Sequence, residues 1–136
     1  MRTDDLIGIP FATGGRTLSE LDCAGLAQEV LRRAGMDAPD LPTVWEQDPD
    51  AAVERWGAAW EKVGDTWDSA TLVGDVIVSD PGHLGRSVHL SVVASARPQR
   101  VLTTLLGKAV HAARPCPRED IVGVYRLKQT LDRVER

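Results

Sequence analysis

DCAGLAQEVLRRAG, residues 22–35, carries a complete helix signature. Asp22 has the short carboxylate that caps free N–H groups at a helix start. Leu26, Val30 and Leu31, with Ala27 and Ala34, fall at helical spacing and make one apolar stripe. Gly35 suits the position just past the last turn, where a left-handed backbone is needed. The pattern predicts a helix over 23–34, with the basic pair Arg32–Arg33 on its solvated face. It also places Cys23 in the first helical turn.

Upstream of this helix, residues 7–17 read IGIPFATGGRT and predict a loop with sharp turns. Downstream, residues 37–50 hold three prolines and five acids and predict an irregular connection. Val53, Trp56, Ala59, Trp60 and Val63 recur at three- and four-residue steps, which predicts a second amphipathic helix over 51–63 with its tryptophans in core contacts. After Gly74 the period changes. Short β-type runs occupy residues 75–79, 87–95, 100–105, 109–114 and 121–127, separated by turns at Pro81-Gly82, Pro98-Gln99, Gly107-Lys108 and Pro115 to Pro117. Connections this short force antiparallel neighbours. Helices followed by an antiparallel meander of about five strands define an α+β class, and 136 residues fit a single domain.

The net charge of −4 leaves no basic excess to neutralise a phosphate backbone, which argues against nucleic acid as a partner. Met1 to Leu6 has no apolar region of signal-peptide length, and no apolar run approaches the ~20 residues of a membrane span. Synthesis in the cytosol without a span is the expectation. Two cysteines, Cys23 and Cys116, are too few for a disulfide scaffold, and neither sits in a Cys-x-x-Cys or His-rich pattern, so neither a metal nor a cofactor is expected. Cys116, between two prolines, and His83, after Pro81-Gly82, read as loop residues.

Cys23 carries the chemistry. A helix N-terminus bears partial positive charge and unpaired N–H groups, which favour thiolate over thiol and can hold an oxyanion. Asp22 opposes this activation unless its carboxylate turns away to cap the helix. In the run VHLSVV, strand alternation puts His89, Ser91 and Val93 on one face. A histidine in an apolar strand needs a partner for its nitrogens. A cysteine across the helix–sheet interface supplies one, and Cys–His is the minimal nucleophile–base unit.

The segment IGIPFATGGRTLSELDCAGLAQEVLRRAG resembles the signature of the NlpC/P60 family: a Gly-x-Pro-Tyr segment, a Gly-Gly pair, then Asp-Cys-Ser-Gly opening a helix. Asp22-Cys23-Ala24-Gly25 matches three of those last four positions. Gly74-Asp75-Val-Ile-Val resembles the family's Gly-Asp-Leu-Val strand, and His89-Leu-Ser-Val-Val its His-Val-Gly-Ile-Tyr strand. The closing IVGVYR, residues 121–126, is similar to the last strand of phage-tail members. The resemblance spans about residues 6–127.

The resemblance implies a papain-like fold, with Cys23 as nucleophile and His89 as general base. A third polar residue on the following strand orients the imidazole. Thr103 is the best match, with Thr104 and His111 as fallbacks. Asp22, Phe11 and Ala24 take the oxyanion and substrate-binding positions, Phe11 replacing the family's tyrosine and Ala24 its serine. The implied reaction is hydrolysis of peptidoglycan stem peptides. The helical insert at about 45–67 and the IVGVYR ending suggest carriage in a phage tail or tail-like particle, with tail proteins as partners and the virion as location. Two alternatives are an inactive structural tail-tip subunit of the same fold and a secreted antibacterial amidase paired with an immunity protein.

Overall fold

The computed structural model describes residues 1–37, 57–81, 89–105, 107–115 and 119–128. Its elements in chain order are β1 (Arg16–Thr17), β2 (Glu20–Leu21), α1 (Cys23–Arg33), β3 (Trp60–Gly64), β4 (Val76–Pro81), β5 (His89–Ala96), β6 (Gln99–Leu105), β7 (Lys108–Ala113) and β8 (Glu119–Leu127). Short 3₁₀ turns lie at Asp4–Leu6, Gly57–Ala59 and Trp67–Ser69. The class is α+β: one α-helix among the described residues packs on an antiparallel sheet.

That sheet has six strands rather than five, in the order β3-β8-β4-β5-β6-β7. The stretch β4-β5-β6-β7 is the expected meander. The last strand then returns to lie between β3 and β4, with Val76 opposite both Val92 and Tyr125.

The sixth strand corrects the helix expected over 51–63. Residues 51–56 lie outside the described residues, as do His83 and Cys116. Of the rest, Gly57–Ala59 is a 3₁₀ turn and Trp60–Gly64 is β3. The spacing of Ala59, Trp60 and Val63 suits a helix, but pairing with β8 wins. Trp60 stands opposite Leu127 and Glu61 opposite Arg126, so Trp60 is buried while Glu61 and Lys62 face outward. Gly57, at φ 78°, breaks the backbone just before. The insert at 45–67 is therefore not an amphipathic α-helix across its described part.

The helix begins and ends where its signals stand. The Asp22 carboxylate accepts from the Gly25 N–H at 2.7 Å, and Gly35 is left-handed at φ 83°. The loop before it contains the hairpin β1–β2, which the sequence pattern did not predict. This hairpin lies so close to the helix that a Cβ on Gly25 would fall on the Gly15 carbonyl oxygen. The glycine after the Cys-Ala pair is thus required by backbone contact.

The sheet's two faces differ. Val76, Val78, Leu90, Val92 and Leu102 turn toward α1 and, with Leu26, Val30 and Leu31, form the main core. Burying one such aliphatic side chain contributes about 1.5–3 kcal/mol. Ile77, Val93, Val101 and Val124 face the other way, in a smaller cluster covered by Trp67 and Val63.

Candidate functional site

The site lies where the start of α1 meets the start of β5. The Cys23 side chain belongs to the α1-side core and is 2 % exposed. The backbone N–H groups of Leu90, Ala24 and Cys23 all act on its sulfur. Those of Cys23 and Ala24 are first-turn groups that have no intrahelical acceptor. The sulfur thus rests beside the peptide that joins His89 to Leu90.

Burial dominates the electrostatics. It pushes the Cys23 thiol up to about 12. The Leu90 N–H opposes this, the Asp22 charge adds to it, and the helix-start N–H groups do not offset it. Desolvation of the anion thus outweighs the helix terminus and opposes the activation expected of Cys23.

His89 is also buried, and this holds its imidazole down to about 4, with the His111 charge a smaller cause. Register settles its direction. His89 stands opposite Ser79, and its neighbours Ile77 and Ser91 pair on the face turned away from α1. Its Nε2 lies 2.6 Å from Thr103 Oγ1, and Thr103 pairs with Ser91 on the same face. The imidazole and the sulfur accordingly flank the His89–Leu90 peptide from different sides. Among the described residues no hydrogen bond joins them. The direct pairing expected across the helix–sheet interface is replaced by this flanking arrangement, because Leu90, not His89, has the parity that faces α1.

Thr103 occupies the position expected of an orienting residue. Its hydroxyl donates to the Leu90 carbonyl at 2.9 Å. A hydroxyl has one proton, so toward His89 the same oxygen must accept. The imidazole therefore carries its proton on Nε2 and leaves Nδ1 with a basic lone pair. Leu90 ties the group together: its carbonyl holds Thr103, and its N–H reaches Cys23.

The other expected residues separate. The buried Asp22 carboxylate is fully engaged, accepting from Gly14 N at 3.0 Å, Gly25 N at 2.7 Å and Arg16 Nη1 at 2.5 Å. It clamps the β1–β2 hairpin to the helix and, being 0 % exposed, presents no oxygen to a substrate in this arrangement. Ala24 is 0 % exposed and packs in the core, so it contributes its N–H and not a binding side chain. Phe11 is partly buried and bridges to Leu21, two residues before the nucleophile position. Thr104 bonds the Lys108 carbonyl within the β6–β7 turn. His111 stands opposite Thr103, and its Nδ1–H donates to the Ala109 carbonyl, 2.8 Å away.

Sequence reasoning missed Arg16 as the partner of Asp22, and missed Lys108 and Arg114, which line a cavity with His89 and Thr103. Arg16 reaches Asp22 across the β1–β2 hairpin, and only the order of the larger sheet brings Lys108 and Arg114 to the site. Among the described residues no cluster of three or more His, Cys, Asp or Glu could hold a metal ion, and no helix is long and apolar enough to cross a membrane. Comparison with protein-family models, with curated proteins and with solved structures returned no match for this chain.

Proposed function

We propose that this chain is a thiol-dependent amide hydrolase similar to the NlpC/P60 peptidases, acting on peptidoglycan stem peptides and carried in a phage tail or tail-like particle. The observation that carries the proposal is the closed set Cys23–Leu90–Thr103–His89. A sulfur at a helix start lies against the peptide of a histidine whose tautomer is fixed by a threonine on the next strand. The same order along the chain is what the sequence resemblance implies.

Because both groups rest neutral, the mechanism is general-base catalysis and not attack by a standing ion pair. Substrate entry must bring the His89 imidazole and the Cys23 sulfur to one side of the His89–Leu90 peptide, where Nδ1 takes the thiol proton as the C–S bond forms. The first-turn N–H groups of Cys23 and Ala24 receive the developing oxyanion. The imidazolium returns its proton to the leaving amine, and water then cleaves the thioester.

One observation favours a second reading. A thiol held up to about 12, with no hydrogen bond to imidazole, suits a structural tail-tip subunit that keeps the fold without the activity. Purified chain and its Cys23→Ala variant, incubated with peptidoglycan, separate the two. Release of new amino termini by the wild type alone supports hydrolysis; equal, background release supports the structural subunit.

A further inference from the structure

On the face of the sheet turned away from α1, a cavity of about 300 Å³ opens beside His89. Trp67, His89, Thr103, Lys108, His111 and Arg114 are among its walls, and among the described residues no carboxylate lines it. The chain as a whole carries a net charge of −4, so a cavity whose described walls are cationic and neutral runs against its average. Lys108 and Arg114 bracket β7, and neither makes an ion pair among the described residues. His111 uses Nδ1 on the Ala109 carbonyl, which leaves Nε2 for a ligand. The Trp67 ring is fixed by its Nε1–H donating to Gln99 at 2.9 Å, and offers a flat wall.

We propose that this cavity binds a carboxylate of an acidic peptide, with Lys108 and Arg114 supplying charge and His111, as imidazolium, donating its Nε2–H. This rests on the peptide-hydrolase reading for the identity of the ligand. A volume of this order lies at the small end of ligand sites and suits a side chain or chain end better than a whole peptide. Charge-assisted bonds to a carboxylate are stronger than neutral ones, and guanidinium can bind both oxygens. A carboxylate there lies next to His89 and offsets the His111 charge that now opposes protonation of His89. Binding thus raises the basicity of the very imidazole that must accept a proton.

The test uses the full chain carrying Cys23→Ala, labelled so that histidine ring signals are resolved by NMR. The probes are the tripeptide L-Ala-γ-D-Glu-L-Lys, the same peptide with its carboxylates amidated, and inorganic phosphate at matched ionic strength. The free-acid peptide is expected to shift the His111 and His89 signals and to bind about tenfold tighter than the amide. K108Q and R114Q are each expected to weaken it several-fold without moving the melting temperature. Equal binding of acid and amide, or indifference to both substitutions, overturns the proposal. Phosphate binding as tightly as the peptide overturns the peptide as the source of the anion. Carboxylate binding in a chain whose wild type releases nothing from peptidoglycan keeps the cavity and removes the hydrolase reading; an active wild type with no preference for the acid does the reverse.

Discussion

Asp22 and Asp75 are the same device used twice. Each is fully buried, each accepts from two backbone N–H groups, and each is paired with an arginine. Asp22 holds the β1–β2 hairpin to the start of α1 through Arg16. Asp75 holds the Thr71–Leu72 turn to β8 through Arg126, whose Nε and Nη2 lie 2.8 and 2.7 Å from its two oxygens. The difference is what stands beside them. The Asp22 charge acts on the Cys23 thiol, whereas the partners of Asp75 include a turn and an arginine. A buried carboxylate is therefore not by itself a mark of function; its effect on a reactive group is.

The largest effect should come from the purely structural member. Asp75→Ala leaves the largely buried Arg126 guanidinium and two backbone N–H groups without their acceptor. Removing one partner of a buried pair costs about 3–5 kcal/mol, to be read as a lower urea midpoint. At a pH where the variant remains folded, its Cys23 alkylation rate should match the wild type. A changed rate would show that the two carboxylates are coupled through the sheet.

Next in size is the acid limb of the stability curve. His89 is held down from its usual 6.5 to about 4. Below pH 6.5 the unfolded chain takes up a proton that the folded chain refuses, so stability is lost as pH falls from 6.5 toward 4. The slope approaches about 1.4 kcal/mol per pH unit. His89→Gln should flatten that segment in denaturation curves. The Cys23 thiol acts at the other end: the unfolded chain loses its proton from about pH 9, the folded chain near 12, and stability falls as pH rises between them.

Thr103 should come third. Thr103→Val removes the acceptor of the His89 Nε2–H and the donor to Leu90, at a cost of about 2 kcal/mol for buried groups left unpaired. Thr103→Ser keeps the hydroxyl and should restore both the stability and the histidine tautomer seen by NMR. Equal losses in the two variants would mean that the methyl packs and the hydroxyl does not orient.

Much of this arrangement was legible in the sequence where local chemistry decides it. Asp22, the apolar stripe and Gly35 set α1 within a residue, since caps and periodicity act over single turns. The strands after Gly74 alternate and are bounded by turns, so their number and direction followed. The strand at 60–64 did not, because Trp60 and Val63 fit either period and only β8, 60 residues further on, selects one. Thr103 was found because it lies one hairpin from His89. The face on which His89 lies, and with it the lack of a direct bond to Cys23, depends on which parity the helix covers, and that is a property of packing. Burial also decided the thiol: a helix terminus is visible in sequence, but the desolvation that outweighs it is not.

The smallest stability change should be the most informative about the comparison. Asp22→Asn keeps one oxygen for the Gly25 N–H but turns its NH₂ toward Gly14, and it loses the charge facing a partly exposed Arg16. The cost should be about 1 kcal/mol. Asp75→Asn should cost more, because the bidentate bond to Arg126 needs both oxygens. At Cys23 the order reverses. The Asp22 charge raises the thiol pKa, so its removal lowers it and speeds iodoacetamide alkylation at pH 9, while Asp75→Asn leaves the rate unchanged. If Asp22→Asn leaves the pH profile of alkylation where it is, the carboxylate beside Cys23 is as purely structural as the one at 75, and the two regions differ only in position.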